Sequence, residues 1–113
     1  MATISDEFMR DILAKAKPYT LVMLRATPKL QESGMEAVVW EHGRRNFSLR
    51  AEGILAIVCP IRDGSGWSGV GIFNAPADEV VKVMEDDPGV KAGIFTYEIH
   101  PTRGFPGDCL PAE

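Results

Sequence analysis

Histidine is scarce in this chain: His42 and His100 are the only two among 113 residues. Cysteine is equally scarce, with Cys59 inside an apolar run and Cys109 near the C-terminus. Neither falls in a C-x-x-C or a Cys/His spacing, so no metal framework is written into the chain. No apolar run approaches the roughly 18 residues of a membrane-spanning helix. Basic charge is also short: 12 Lys and Arg against 16 Asp and Glu leave a formal net charge of −4. Neutralising nucleic-acid phosphates needs a concentrated basic surface. The one local cluster, Arg44, Arg45 and Arg50, shares its stretch with Glu36, Glu41 and Glu52 and reads as a mixed, solvated face. No nucleic-acid partner and no membrane are therefore expected. A phosphate-cradling glycine loop and a Ser-His-Asp order are missing too. The N-terminus opens on acids without a continuous apolar stretch, so no signal peptide is expected and the cytoplasm is the default, with reduced thiols.

What is present is an ordinary globular composition, 45% hydrophobic and 25% charged. That length predicts one domain, 1–113, with a single modest core. Residues 4–16 predict a helix capped by Ser5, with Asp6 and Glu7 in its first turn and Phe8, Ile12 and Leu13 on one face. Lys17-Pro18 ends it. The run "Y-T-L-V-M-L-R-A", 19–26, alternates as a central strand, with Tyr19, Leu21, Met23 and Arg25 on one side.

A long helix is expected over 31–52, where Met35, Val38, Val39, His42, Asn46 and Leu49 recur at helical steps. Trp40 and Phe47 widen its apolar surface on another side, and Gly43 would permit a close approach. Gly53 suits the left-handed residue after the helix. A buried strand, 54–59, a glycine-rich turn at 62–67 and a strand at 68–74 follow. Gly69 and Gly71 share a strand face and leave room there, for close packing or for a cleft. Residues 76–86 predict the second main helix, 86–93 a break with a short helical turn, and 94–100 the last strand. The tail from 102 is dense in Pro and Gly and is expected to be irregular.

The order is an extra helix, 4–17, then β-α-β-β-α-β over 19–101, then the tail, 102–113. Two crossovers joined by a hairpin predict an α+β, ferredoxin-like fold: a four-stranded antiparallel sheet with both main helices on one face. The other face then needs a cover, such as a second subunit or the N-terminal helix.

Four stretches in this order carry a family likeness: "Y-T-L-V-M-L-R"; His42 to Leu55, as "H-x-x-x-x-F-x-L-x-x-x-G-I-L"; "D-G-S" at 63–65; and "D-P-G-V-K-A-G-I-F" at 87–95. Together they resemble the YciI-like (YCII-related) family of the dimeric α/β barrel superfamily. The resemblance implies a ferredoxin-like subunit that pairs through its sheet into a homodimer. It also implies a pocket where the helix histidine, His42, meets the aspartate of Asp-Pro, Asp87. One kind of member removes chloride from a chlorinated hydroxyquinol; wider relatives isomerise lactones or oxidise aromatic compounds. The chain departs from the family pattern at Cys59, where many relatives have glycine, and at Asn46, where an apolar or aromatic residue is common.

These expectations converge on cofactor-free acid/base chemistry of lyase, isomerase or dehydrohalogenase type on a cyclic or aromatic substrate. Imidazole titrates near neutrality, and a carboxylate on one ring nitrogen fixes the tautomer and frees the other nitrogen for substrate. His42 and Asp87 are the catalytic candidates; Arg25 and Asn46 are candidates for substrate binding, Arg25 as a clamp on a carboxylate or phenolate. Each has a plainer reading: a structural histidine, an Asp-Pro turn, a solvated arginine, a surface asparagine. A non-catalytic ligand-binding or scaffold dimer, or a higher homo-oligomer, is the alternative. An RNA-recognition module shares the element order but needs aromatics on the middle strands, which "W-S-G-V-G-I-F" supplies poorly.

Overall fold

Ser5 caps the first helix as its position predicts: in the computed structural model, which describes residues 1–113, its hydroxyl accepts from the Phe8 N–H at 3.1 Å. This helix, α1, is Asp6–Ala14. It is followed by β1 (Lys17–Ala26), a turn of 3₁₀ helix (Pro28–Gln31), α2 (Met35–Ala51), β2 (Leu55–Pro60), β3 (Trp67–Phe73), α3 (Ala77–Glu85), α4 (Pro88–Lys91) and β4 (Phe95–Gly104). The sheet has the order β2-β3-β1-β4 and every neighbouring pair is antiparallel. This is the expected ferredoxin-like α+β arrangement.

Three boundaries differ from expectation, each for a local reason. The long helix starts at Met35 rather than 31, because Gly34 takes a left-handed φ of 87° and Pro28 opens a separate 3₁₀ turn. Strand β1 begins already at Lys17, so Lys17-Pro18 does not merely close a helix. The last strand does not stop near 100 but runs to Gly104, pairing Thr102, Arg103 and Gly104 with Tyr19, Pro18 and Lys17. Pro101 is tolerated there because β4 is an edge strand with an unpaired side. The irregular tail is thus shorter than predicted.

The end of α2 is a Schellman motif: Gly53 has φ 78°, its N–H donates to Arg50 O at 3.1 Å, and the Ile54 N–H donates to Leu49 O at 3.0 Å. This reverses the chain straight into β2. Val22, Leu24, Leu49, Leu55, Phe73, Val80, Met84, Ile94 and Phe95 form the core between the sheet and its helices. Thr20, buried among them, satisfies its hydroxyl by donating to Ala75 O at 2.7 Å. Gly69 and Gly71 lie on this covered face, and the space is one of close packing, not a cleft. A side chain at 71 would press on Leu55 and Phe73, and one at 69 on the Cys59 carbonyl.

The opposite face carries Tyr19, Leu21, Met23, Val70 and Ile72, all half-buried, and no helix of the chain covers it. Phe95, Tyr97 and Ile99 of β4 turn toward the helices, packing in or against the core. Helix α1 leaves the open face bare: it buries none of its own residues. The molecule measures 56 × 31 × 22 Å and its radius of gyration is 16.4 Å, above the roughly 13 Å of a compact chain this long.

Candidate functional site

Asp87 is the most deeply buried acid in the chain, with 1% of its surface exposed. Its backbone explains its position. It is the N-cap of α4, and its Oδ2 accepts from the N–H groups of Gly89 at 2.9 Å and Val90 at 3.2 Å. Pro88 suits the first helical position, where no N–H is needed. Gly89 is required by close approach: any side chain there would collide with the Phe95 ring. Gly93, at φ 76°, then turns the chain into β4. The loop is braced from β1's end, where the Thr27 hydroxyl donates to Gly93 O at 2.6 Å.

His42 reaches this carboxylate from α2. Its Nδ1 lies 2.8 Å from Oδ1 and 2.9 Å from Oδ2 of Asp87. Its ring also packs against Phe95, with centroids 4.8 Å apart and a 48° tilt. Only 12% of the His42 side chain is exposed. Asn46, one helical turn on, holds its amide nitrogen 3.3 Å from His42 Nε2. The Arg45 guanidinium stands 3.7 Å from Asp87 Oδ1, an ion-pair distance rather than a hydrogen bond.

Burial pushes the Asp87 carboxyl up, but the hydrogen bond and charge of His42 and the N–H groups of Val90 and Gly89 outweigh it, leaving the group below its usual value. Asp87 is therefore an anion and an acceptor. Nδ1 of His42 then carries the hydrogen it donates, and the Asn46 amide lies against Nε2. The arrangement presents one basic nitrogen backed by a buried carboxylate.

Three of the four candidate residues, His42, Asp87 and Asn46, come together. Arg25 does not. It follows Leu24 on β1 and so points to the open sheet face, where its guanidinium stacks 3.9 Å from the Trp67 ring centroid. His100 is there as well, exposed and 3.1 Å from Glu98 Oε2. Arg45 and Phe95 were missed as site residues. Arg45 was legible as the i+3 neighbour of His42 on one helix, but three arginines in a mixed stretch gave no reason to prefer it. Phe95 sat in the strand alternation with nothing to tie it to the histidine.

A groove of about 570 Å³ lies on another side of α2, lined by Trp40, Gly43 and Phe47 among others, and His42 is not part of it. No group of three or more His, Cys, Asp or Glu side chains is placed to hold a metal ion. No helix is long and apolar enough to cross a membrane.

No protein-family model and no curated protein matches the chain. Among solved structures, it is similar to 5-chloro-2-hydroxyhydroquinone dehydrochlorinase (TftG) from Burkholderia phenoliruptrix AC1100, in complex with 2,5-dihydroxybenzoquinone. The TM-score is 0.52 at 20% sequence identity, over 73% of this chain and 90% of that one. At such identity the likeness is one of fold alone.

Proposed function

We propose that this protein is a cofactor-free, small-molecule enzyme of the lyase, isomerase or dehydrohalogenase type, acting on a cyclic or aromatic substrate, in which His42 is the base and Asp87 its partner. The observation that carries this is the buried Asp87 carboxylate, held by two backbone N–H groups and directed at His42 Nδ1. That partner stabilises the imidazolium formed when Nε2 accepts a proton. In an elimination, one ring hydroxyl passes its proton to the carbon that bears the halogen and becomes a carbonyl; Nε2 then takes the proton of a second ring hydroxyl, that O–H pair becomes a carbonyl, and the electrons pass through the ring to expel halide. Proton and halide leave together in the balance, so no oxidant is needed. Asn46 occupies the position of the substrate hydroxyl and must swing aside to admit it. The resemblance to YciI-like proteins and the shared fold with TftG, itself named a dehydrochlorinase, support the reaction class.

Homodimerisation through the open sheet face belongs to the same proposal. Leu21, Met23, Val70 and Ile72 form an apolar surface that a second copy would cover, as the resemblance to YciI-like proteins implies. Arg25, on that face, would contact a ligand only from the barrel side.

A second reading has its own support. The pair is satisfied within the chain, Nδ1 by Asp87 and Nε2 by Asn46, and no buried polar side-chain atom lacks a partner. That suits a structural clamp between α2 and α4 in a non-catalytic ligand-binding or scaffold dimer. The deciding experiment incubates the full chain with a panel of halogenated hydroquinols and hydroxylated lactones, following halide release and ring absorbance. The enzyme reading expects turnover that falls about 10²–10⁴-fold in His42→Gln. Binding without turnover in wild type, or turnover unchanged in the variant, assigns the pair to the clamp.

A further inference from the structure

Two apolar surfaces are left unpartnered at opposite places in the chain. One is the face of α1 formed by Phe8, Met9 and Leu13, all exposed, with Ile12 half-buried between them. The other is the outer face of α2, where Trp40 is 70% exposed and Phe47 61% exposed. Between those two aromatics lies Gly43. A side chain there would meet nothing within 4 Å, so the glycine forms the floor of the groove rather than a contact with a neighbouring element. Val39, Met35 and Leu30 extend the apolar wall.

The two surfaces match in charge. Helix α1 carries Asp6 and Glu7 in its first turn, Arg10 and Asp11 further along, and Lys15 and Lys17 past its end. Along α2 the order is the same: Glu36 and Glu41 come first, Arg44, Arg45 and Arg50 later. An antiparallel seating that sets Lys15 beside Glu36 brings Arg10 to Glu41, and Glu7 and Asp6 to Arg44 and Arg45. It also opposes the two helix dipoles.

A chain cannot readily make this contact with itself. Only Lys15 and Ala16 separate α1 from β1. The groove gathers around the first half of α2, which follows the far end of that ten-residue strand, about 33 Å away at the usual rise per residue. In addition, Lys17 is tied into the sheet opposite Gly104. We infer that α1 of one copy docks antiparallel into the Trp40–Gly43–Phe47 groove of a second copy. The contact is independent of the acid/base reading and uses a surface other than the open sheet face.

The test reads Trp40 emission in a Trp67→Phe background. Docking predicts a blue-shifted Trp40 that moves to the red on dilution, and Leu13→Asp in the same background is expected to be red-shifted at every concentration. Leu13 is exposed on a helix that buries nothing, so the substitution leaves the core intact. A Trp-free chain (Trp40→Ser, Trp67→Phe) with an intact α1 is then added in excess to the Leu13→Asp chain. The inference expects the blue shift to return as the added helix fills the vacant groove. Emission of a water-exposed indole in the parent at all concentrations, or no response to the Trp-free chain, overturns it.

Discussion

The two faces of the sheet are built from the same strands and share no chemistry. On the covered face, Thr20, Val22, Leu24, Phe73 and Phe95 are each exposed by 9% or less, and behind them stand the His42–Asp87 pair and its cap. Across the pleat, Leu21, Met23, Val70 and Ile72 remain half-exposed, next to the polar edge of Thr96, Glu98 and His100. One face is complete within the chain; the other is an unfinished surface. The difference separates two kinds of apolar residue that composition alone would group together: those buried within the chain and those left half-exposed on its surface.

The sharpest way to break this comparison is at Asp87. Asp87→Ala removes the cap of α4 and strands His42 and Arg45, and is expected to destabilise the subunit by about 3–5 kcal/mol in urea unfolding. Gly89→Ala drives a methyl into the Phe95 ring and is expected to cost about 1–3 kcal/mol, with loss of the His42 ring contact seen by NMR. Met23→Asp acts on the other face. It is expected to leave the circular dichroism unchanged and, in a Leu13→Asp background that removes the α1 contact, to take the sedimenting species from dimer to monomer.

Titration probes the covered face further. Asp87 is held below its ordinary value of 3.8, so its contribution to stability is complete above that value and is lost as pH falls through the lower folded one. Unfolding midpoints measured from pH 5 downward should drop in wild type, and Asp87→Asn should lack that part of the slope. The smallest effect concerns Tyr97, whose hydroxyl donates to Glu85 at 2.8 Å. Burial, then Glu85, pushes this phenol up to about 12. Its contribution is present below the usual value of 10 and fades as pH rises through the folded one. Ultraviolet titration should show one tyrosine ionising late, and Tyr97→Phe should remove that step.

Much of this was legible from the chain. Period-two runs, Gly53 after a helix and two crossovers around a hairpin were enough for the fold, because those signals are local. The meeting of His42 and Asp87 was legible through the family likeness, and Asn46 through its place one turn beyond His42. What stayed hidden depended on contacts far apart in sequence. The strand beyond His100 forms only because Lys17 and Pro18 extend β1 to receive it. Alternation put Arg25 and Met23 on one face but did not say which face held the histidine. The Gly89–Phe95 contact sits inside the Asp-Pro motif, yet only the closed turn shows why a side chain there is forbidden.

The most direct test of the central claim is the tautomer of His42, read from its two ring nitrogens by ¹⁵N NMR in the full chain near neutral pH, with His100→Gln to assign the signals. A buried Asp87 anion predicts a hydrogen on Nδ1 and a bare Nε2, the nitrogen left to act as base. A neutral ring with its hydrogen on Nε2, or rapid averaging between the two forms, contradicts the account, because Asp87 would then not be orienting the imidazole.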